Sequence, residues 1–469
     1  MSGKLRLIEE SDLPASWQLA SLGNFLRRKS KTFNPVKAPN ETWELYSVPS
    51  HETGRPEIAR SEVIGSNKQF VGIGDVLLSK INPRLNRSWV VGDYSRNEKI
   101  ASTEWIVFEK SPKILSGYLK YALSDIRVRD FMAHNASGVG GSLTRVKPGL
   151  MDSIYIGLPP IDEQNSILSK IESLLSELDK GIESLKTARE QLKVYRQAVL
   201  KHAFEGKLTA QWREENKDKL ESPEQLLTRI PVPSQPRGGR EASREVIEGI
   251  GALAVNKPKK NVPEGWVWTP LLRVARQETG HTPSRRKPEY WGGDQYWIGI
   301  VDARLHHGQK INDTLQKVTS EGLENSSARI LPSETVCLSR TASVGYVCIM
   351  GKPMATSQDF ATWSCTEALD SKFLMYAIIA EGSEIRRFGK GTTHTTIYFP
   401  EIRALHIALP SVTEQRTIVD LLEKKLQYVD LVLNDIDEQI LRTETLRQSI
   451  LKKAFTGQLA TKTEDQEST

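Results

Sequence analysis

The chain has 469 residues, room for two to four domains, and its 38% hydrophobic and 26% charged content excludes a fibrous, membrane-embedded or wholly disordered protein. Lys and Arg number 64 against 58 Asp and Glu, giving +6; this permits a nucleic-acid partner and shifts the question to where the charges cluster. Three widely spaced cysteines, Cys337, Cys348 and Cys365, exclude a disulfide framework and a zinc site, and read as buried, reduced thiols.

In chain order, Met1–Asp12 is polar and has no signal-peptide core. The longest apolar stretch, near Phe373–Ala380, falls far short of the about 20 residues that span a bilayer, so a cytoplasmic protein with no membrane partner is expected. Residues 1–157 read as a mixed α/β unit, with β-type runs Val76-Leu-Leu-Ser, Trp89-Val-Val and Trp105-Ile-Val-Phe between Gly, Asn and Pro turns. Phe70-Val-Gly-Ile-Gly74 has the glycine spacing of a methyltransferase cofactor loop. That chemistry needs a helix start behind the glycines, and here the strand-like Val76-Leu-Leu-Ser follows at once.

Residues 158–212 contain one long helix by the 3- and 4-residue spacing of Ile167, Ile171, Leu174, Leu178, Ile182, Leu185, Leu192, Tyr195 and Val199. Asp162 is its expected N-cap, the basic Arg196, Lys201 and His202 lie near its far end, and Gly206 is a natural stop. About 40 residues at 1.5 Å each make a rod roughly 60 Å long. Residues 213–262, rich in Pro and Gly, read as a linker with short helices around Pro223–Ile230 and Glu241–Ile250. Residues 263–406 form a second mixed α/β unit, with strands at Tyr296-Trp-Ile-Gly-Ile and Tyr346-Val-Cys-Ile-Met. Residues 407–460 repeat the long helix with Ile418, Leu422, Val429, Leu433, Ile436, Leu446 and Ile450, and 461–469 form a disordered tail.

The chain is written twice. Residues 156–208 align without a gap to 407–459, identical at 17 of 53 positions where chance gives about three. Leu13-Pro-Ala-Ser-Trp17 echoes Val262-Pro-Glu-Gly-Trp266, and Val76-Leu-Leu-Ser-Lys80 echoes Val336-Cys-Leu-Ser-Arg340. A striped helix needs a partner for its seam, and the partner at hand is its twin.

In sum these residues resemble the specificity subunit of type I restriction–modification systems. The resemblance rests on x-P-x-x-W, Gly74-Asp-Val-Leu-Leu78, Gly280-His-Thr-Pro283, Glu289-Tyr-Trp-Gly-Gly293, Trp297-Ile298 and Gly391-Thr-Thr393. It also rests on Leu409-Pro410 with Glu414-Gln415, and on the twin endings Ala203-Phe-x-Gly206-x-Leu208 and Ala454-Phe-x-Gly457-x-Leu459. The first half departs from it: Ser137–Thr144 replaces the double Thr, and no G-x-T-P…E-Y-W-G-G stretch occurs. The resemblance implies an α/β (α+β) chain with two target recognition domains separated by two long antiparallel coiled-coil helices in a pseudo-twofold arrangement. It implies a non-catalytic subunit without cofactor or metal that reads a bipartite, asymmetric double-stranded DNA target. The partners it implies are two methyltransferase subunits and, through them, the restriction and translocase subunits. A related methyltransferase-only or type II-like modification system stays open.

The candidate DNA contacts are Arg27, Arg28, Lys29, Arg84 and Arg87 in the first half. In the second they are Thr282, Arg285, Arg286, Lys287, Arg340, Thr392, Thr393 and His394, where cations and hydroxyls suit phosphates and base edges. Lys257, Lys259 and Lys260 are linker charges, and His306-His307 lacks further ligand-type neighbours at metal spacing. The candidate helix seam and subunit interface comprises Ile167, Ile171, Leu174, Leu178, Leu185, Leu192, Ile418, Leu422, Val429, Ile436 and Leu446. A catalytic Asp/Asn-Pro-Pro-Tyr/Phe tetrapeptide is missing, because Leu158-Pro-Pro-Ile161 has the wrong ends to hold a flipped adenine. A phosphate loop is missing too, since Gly345 to Gly351-Lys352-Pro353 has one residue too many and a proline in place of the hydroxyl.

Overall fold

A computed structural model describes residues 3–137, 144–236, 241–341, 343–391 and 395–459. The helices that organise it are α1 (Ser116–Leu123), α2 (Ile161–Phe204), α3 (Ser371–Ala380) and α4 (Val412–Phe455). The chain divides into two compact units, unit 1 from Met1–Lys186 with Ile436–Thr469 and unit 2 from Thr187–Asp435. Each long helix therefore gives one stretch to each unit.

The long helices are 44 residues each, with acidic residues in the first turn (Asp162 and Glu163; Glu414) and basic ones in the last (Lys201 and His202; Lys452 and Lys453), as the helix dipole favours. α2 begins one residue earlier than the expected cap, at Ile161. Gly206 (φ +69°) and Gly457 (φ +73°) then take the left-handed conformation that ends a helix. A Cβ on Gly206 would lie 2.5 Å from Pro263 Cγ, and one on Gly457 2.7 Å from Pro14 Cγ, so both positions also require glycine for close approach. The x-P-x-x-W segment of each half thus seats on a helix end inside its own unit.

Unit 1 is built on β1 (Gln18–Ser21), β2 (Val76–Ser79), β3 (Ser88–Val90), β4 (Trp105–Phe108) and β5 (Ile154–Leu158). β5 lies between Leu5–Arg6 and β1, and β2 lies between β4 and β3. A five-stranded sheet covers Thr32–Phe33, Lys68–Phe70, Lys99–Ser102, Thr42–Tyr46 and Glu57–Arg60 in spatial order. The main core joins Ile106, Phe108, Leu119 and Ile154 to Ile167, Ile171 and Leu175 of α2 and to Leu451, Ala454 and Phe455 of α4. Tyr118 and Phe455 meet edge to face at 5.1 Å.

Unit 2 carries β6 (Leu253–Val255), β7 (Val267–Pro270), β8 (Ala275–Thr279), β9 (Trp291–Ile298) and β10 (Gln316–Val318). It continues with β11 (Val336–Ser339), β12 (Val347–Met350), β13 (Ala355–Thr356), β14 (Phe360–Cys365) and β15 (Leu405–Leu409). The five-stranded sheet runs β8-β14-β11-β12 and ends on Lys310–Ile311, while β9 lies between β10 and β13. In its core Phe204 of α2 packs on Phe373 of α3 at 5.2 Å.

The stretch expected as a linker is part of unit 2. Pro223–Arg229 forms the expected short helix, closed by a Ser222/Gln225 capping box. The second expected helix does not form: residues 241–246 have no regular structure, Ile247–Glu248 is a strand, and β6 pairs with β15. The reason lies in Glu381, buried at 0% exposure, which accepts from Ile250 N at 2.7 Å and Gly251 N at 3.0 Å and holds that turn open.

The seam follows the striped positions with one correction. Ile167, Ile171, Ile418, Leu422, Val429 and Ile436 are buried, and Leu174, Leu178, Leu185 and Leu192 are half-buried, but Leu446 is 49% exposed and its copy Tyr195 46%. At that level the contact steps one residue on. In unit 1 Arg447 closes on Asp179, and in unit 2 Arg196 closes on Asp430. These two pairs are copies of one another under the repeat, because Asp179 aligns with Asp430 and Arg196 with Arg447. Within unit 2, Thr209 also donates to Glu414 at 2.7 Å; rising numbers on one side meet falling numbers on the other, so the helices run antiparallel.

Candidate nucleic-acid interface

In unit 2 the Gly280-His-Thr-Pro283 segment leaves β8 and crosses β13 so closely that a Cβ on Gly280 would lie 2.0 Å from Thr356 O. Two tryptophans pin the loop that follows: Trp297 donates Nε1 to His281 O at 3.1 Å, and Trp291 to Ser284 O at 3.3 Å. Arg285 is exposed on this loop, its guanidinium 4.6 Å from the Trp291 ring and 5.6 Å from that of Trp297, and Nη2 donates to Gln316 Oε1 at 3.1 Å. Lys287 lies on Tyr290 and donates to its hydroxyl at 2.9 Å, which raises the ammonium pKa; Arg286 is exposed.

Thr282 donates to Gln358 Oε1 at 2.6 Å, and Arg340 Nη2 donates to Gln358 O at 2.9 Å. Gln358 thereby joins two clefts. One, of about 630 Å³, includes Thr282, Arg285, Gln316 and the apolar Val301 and Leu315; the other, of about 710 Å³, includes His281, Arg329, Arg340, Tyr398 and Phe399. Arg340 stacks on Phe399 at 4.4 Å with its Nε buried and without a partner, and desolvation lowers its pKa. The acidic neighbours are engaged internally. Asp359 accepts from Thr341 and Ser357, and Glu278 pairs with Arg276 at 3.2 Å and Arg329 at 3.5 Å. Among the described residues, the groups that line these clefts include cationic and amide donors, a set that suits phosphates and base edges.

Unit 1 sorts its candidates differently. Arg27 is occupied inside the fold: Nη2 meets buried Asp75 at 2.7 Å, Nε meets Glu109 at 2.8 Å, and Nη1 meets Phe70 O at 2.6 Å. Asp75 also accepts from Gly72 N at 2.8 Å and Lys110 N at 3.0 Å, so the glycine stretch before it is a structural turn into β2. Arg28 pairs with Asp152 at 2.6 Å, and Arg87 with Glu52 at 3.0 Å. Lys29 is exposed, as is Arg84, which lies in a tight loop bounded by Asn82 (φ +47°) and Asn86 (φ +42°), residues that tolerate the left-handed region.

The sequence thus pointed to Thr282, Arg285 and Arg340, which the fold brings around one residue it did not flag, Gln358. Gln316 was missed as well; its only signal is the alternation of a short strand. Thr392, Thr393 and His394 lie outside the described residues, as does most of Ser137–Thr144. His307 packs on Tyr346 at 6.0 Å and accepts from Val347 N at 3.1 Å, a packing role. The three cysteines are free thiols; Cys337 and Cys348 are buried opposite one another on β11 and β12, where desolvation raises the Cys337 pKa. No helix among the described residues is long and apolar enough to cross a membrane.

Comparison with known proteins agrees with this architecture. Residues 263–442 match the Type I restriction modification DNA specificity domain. The HindI type I restriction enzyme specificity subunit of Haemophilus influenzae is 22% identical over 95% of this chain and 100% of its own length. The EcoKI specificity subunit of Escherichia coli is 24% identical over 74% and 66%. Among solved structures, a chain of a type I restriction–modification assembly superposes with a TM-score of 0.72 at 19% identity over 95% of this chain and 99% of that one. The HsdS subunit of Thermoanaerobacter tengcongensis gives 0.58 at 19% over 95% and 98%. Residues 263–442 thus carry the DNA specificity domain of type I restriction–modification systems, and the chain as a whole is similar to the specificity subunits of such systems along nearly its whole length and shares their fold.

Proposed function

We propose that this chain reads a bipartite, asymmetric DNA target, one half through each head, and carries two adenine methyltransferase subunits and, through them, the restriction and translocase subunits. The observation that carries this reading is the pairing of unlike heads with like supports. The helix positions are duplicated down to the Asp179–Arg447 and Asp430–Arg196 pairs, while the basic and aromatic groups of the heads differ. A duplicated support offers equivalent positions twice, which suits two copies of one partner, and exposed Tyr195 and its copy Leu446 supply apolar area at one of them. Unlike heads suit an asymmetric target, and the unread spacer between its halves is then set by the helices. Methyl transfer and ATP-driven cleavage belong to the partner subunits in this reading.

The test is the methylome of a host carrying the partner methyltransferase with and without this chain. The expected result is one split motif that is methylated only when the chain is present. Identical methylomes, or methyl transfer by the purified chain alone, would overturn the proposal.

A further inference from the structure

Most exposed arginines on a protein surface sample many rotamers, and a phosphate contact tolerates that freedom because it carries no sequence information. Arg285 is different. Its guanidinium lies 4.6 Å and 5.6 Å from two indole rings that are themselves perpendicular at 5.1 Å. One of those rings, Trp297, is only 3% exposed, so the base of the support belongs to the core. The same two indoles fix the backbone of the loop through their N–H groups, on either side of Thr282 and Pro283. Gln316 Oε1 takes one N–H of Nη2; the remaining donors of Arg285 have no acceptor among the described residues. The result is an exposed fork whose position and backbone are set before any ligand arrives.

Fixing a long side chain in advance removes the ordering cost of binding and confines its donors to one direction, which is what recognition of a base edge requires. Of the four bases, guanine alone presents two adjacent acceptors, O6 and N7, in the major groove, and the two parallel N–H groups of an arginine fork match them. Adenine and cytosine place a donor there, and thymine a methyl group. We propose that Arg285 is the guanine-reading residue of the second half-site, whereas its exposed neighbour Arg286, which has no such support, contacts phosphate. This rests on the DNA-reading function proposed above and names one base class within it.

The experiment uses the full chain with its partner methyltransferase. Methylomes of wild type, R285A, R285K and R286A are compared, and the purified complexes are titrated with duplexes carrying the wild-type motif, with each guanine of the second half-site replaced in turn by 7-deazaguanine, which lacks the N7 acceptor. At one guanine, R285A and R285K are expected to reduce discrimination about tenfold or more, leaving the first half-site unchanged. R285K keeps the charge but loses the planar fork and its stacking, so its affinity for random DNA stays near wild type while the discrimination is lost. For the wild-type chain, 7-deazaguanine at that position lowers affinity, and for R285A it lowers it no further. R286A weakens all sequences alike and reduces the salt dependence by about one counterion.

An R285A methylome identical to wild type overturns this inference alone, as does equal weakening on all sequences, or a second half-site without guanine. The 7-deazaguanine arm uses wild-type protein, so an affinity unchanged at every guanine of the second half-site overturns the inference even if the variants misfold. A wild-type complex that marks no specific sequence overturns the DNA-reading function and this inference with it.

Discussion

In unit 1 Trp17 donates its indole N–H to Glu163 at 2.7 Å; at the equivalent place in unit 2, Trp266 Nε1 is buried without a partner, while Thr209 and Arg213 reach Glu414 at 2.7 Å and 2.9 Å. One residue further along, the two units agree. Gln164 takes Leu115 N and donates to Pro159 O and Lys113 O, and Gln415 takes Asp370 N and donates to Pro410 O and Ala368 O. The duplicated support thus keeps the glutamine that ties the helix start to the head, and lets the neighbouring glutamate change partners. What the fold needs from both copies is an anchored helix start; the means of anchoring is free to drift.

The strongest way to break this comparison is to exchange residues 263–406 for the corresponding domain of another family member. The expected outcome is a complete change of one half of the methylated motif with the other half intact, read by methylome sequencing. A motif unchanged in both halves would end the idea of separable heads.

Next in size are the anchoring glutamines. Q164A and Q415A each leave buried backbone groups unpaired, and each is expected to cost about 2 kcal/mol. Hydrogen exchange should localise the loss to unit 1 for the first and unit 2 for the second. A loss spread over the whole chain in both cases would mean that the units do not respond separately.

The tryptophans sharpen the contrast. W17F removes a hydrogen bond to a carboxylate and W266F removes a buried donor that has none. The first should therefore cost about 1.5 kcal/mol more than the second in denaturant unfolding, although both lose similar ring volume. Equal costs would show that Trp266 gains as much from the Arg213 guanidinium 5.6 Å from its ring as Trp17 gains from Glu163.

The smallest effect belongs to the twin ion pairs. Their side chains are one-third to three-fifths exposed, so D179N and D430N should each change stability by no more than about 0.5 kcal/mol, and by similar amounts.

Much of the supporting architecture was legible in the residues, because a helix of this length writes its pattern many times over and the chain writes that helix twice. The docking of 213–262 was not. Its prolines and glycines carry a local turn signal, whereas the cause of its placement, the Glu381 carboxylate that holds Ile250 and Gly251, is 130 residues distant. Leu446 shows the converse failure: its spacing fits the stripe, yet Arg447 takes the contact because Asp179 waits across from it. Among the basic residues, type alone could not separate Arg27, closed into a network with Asp75 and Glu109, from Arg285, held open by two indoles. The difference lies in partners that come from other strands.

Unit 2 is one continuous stretch of chain, whereas unit 1 is closed by Ile436–Thr469, with Leu451, Ala454 and Phe455 set in its core. During synthesis, then, the half that emerges first cannot complete its interior until the last helix has left the ribosome, and the later half is the first able to finish. A premature stop near residue 435 would spare the second head and leave the first with an open apolar socket around Tyr118, a form that chaperones and proteases would recognise.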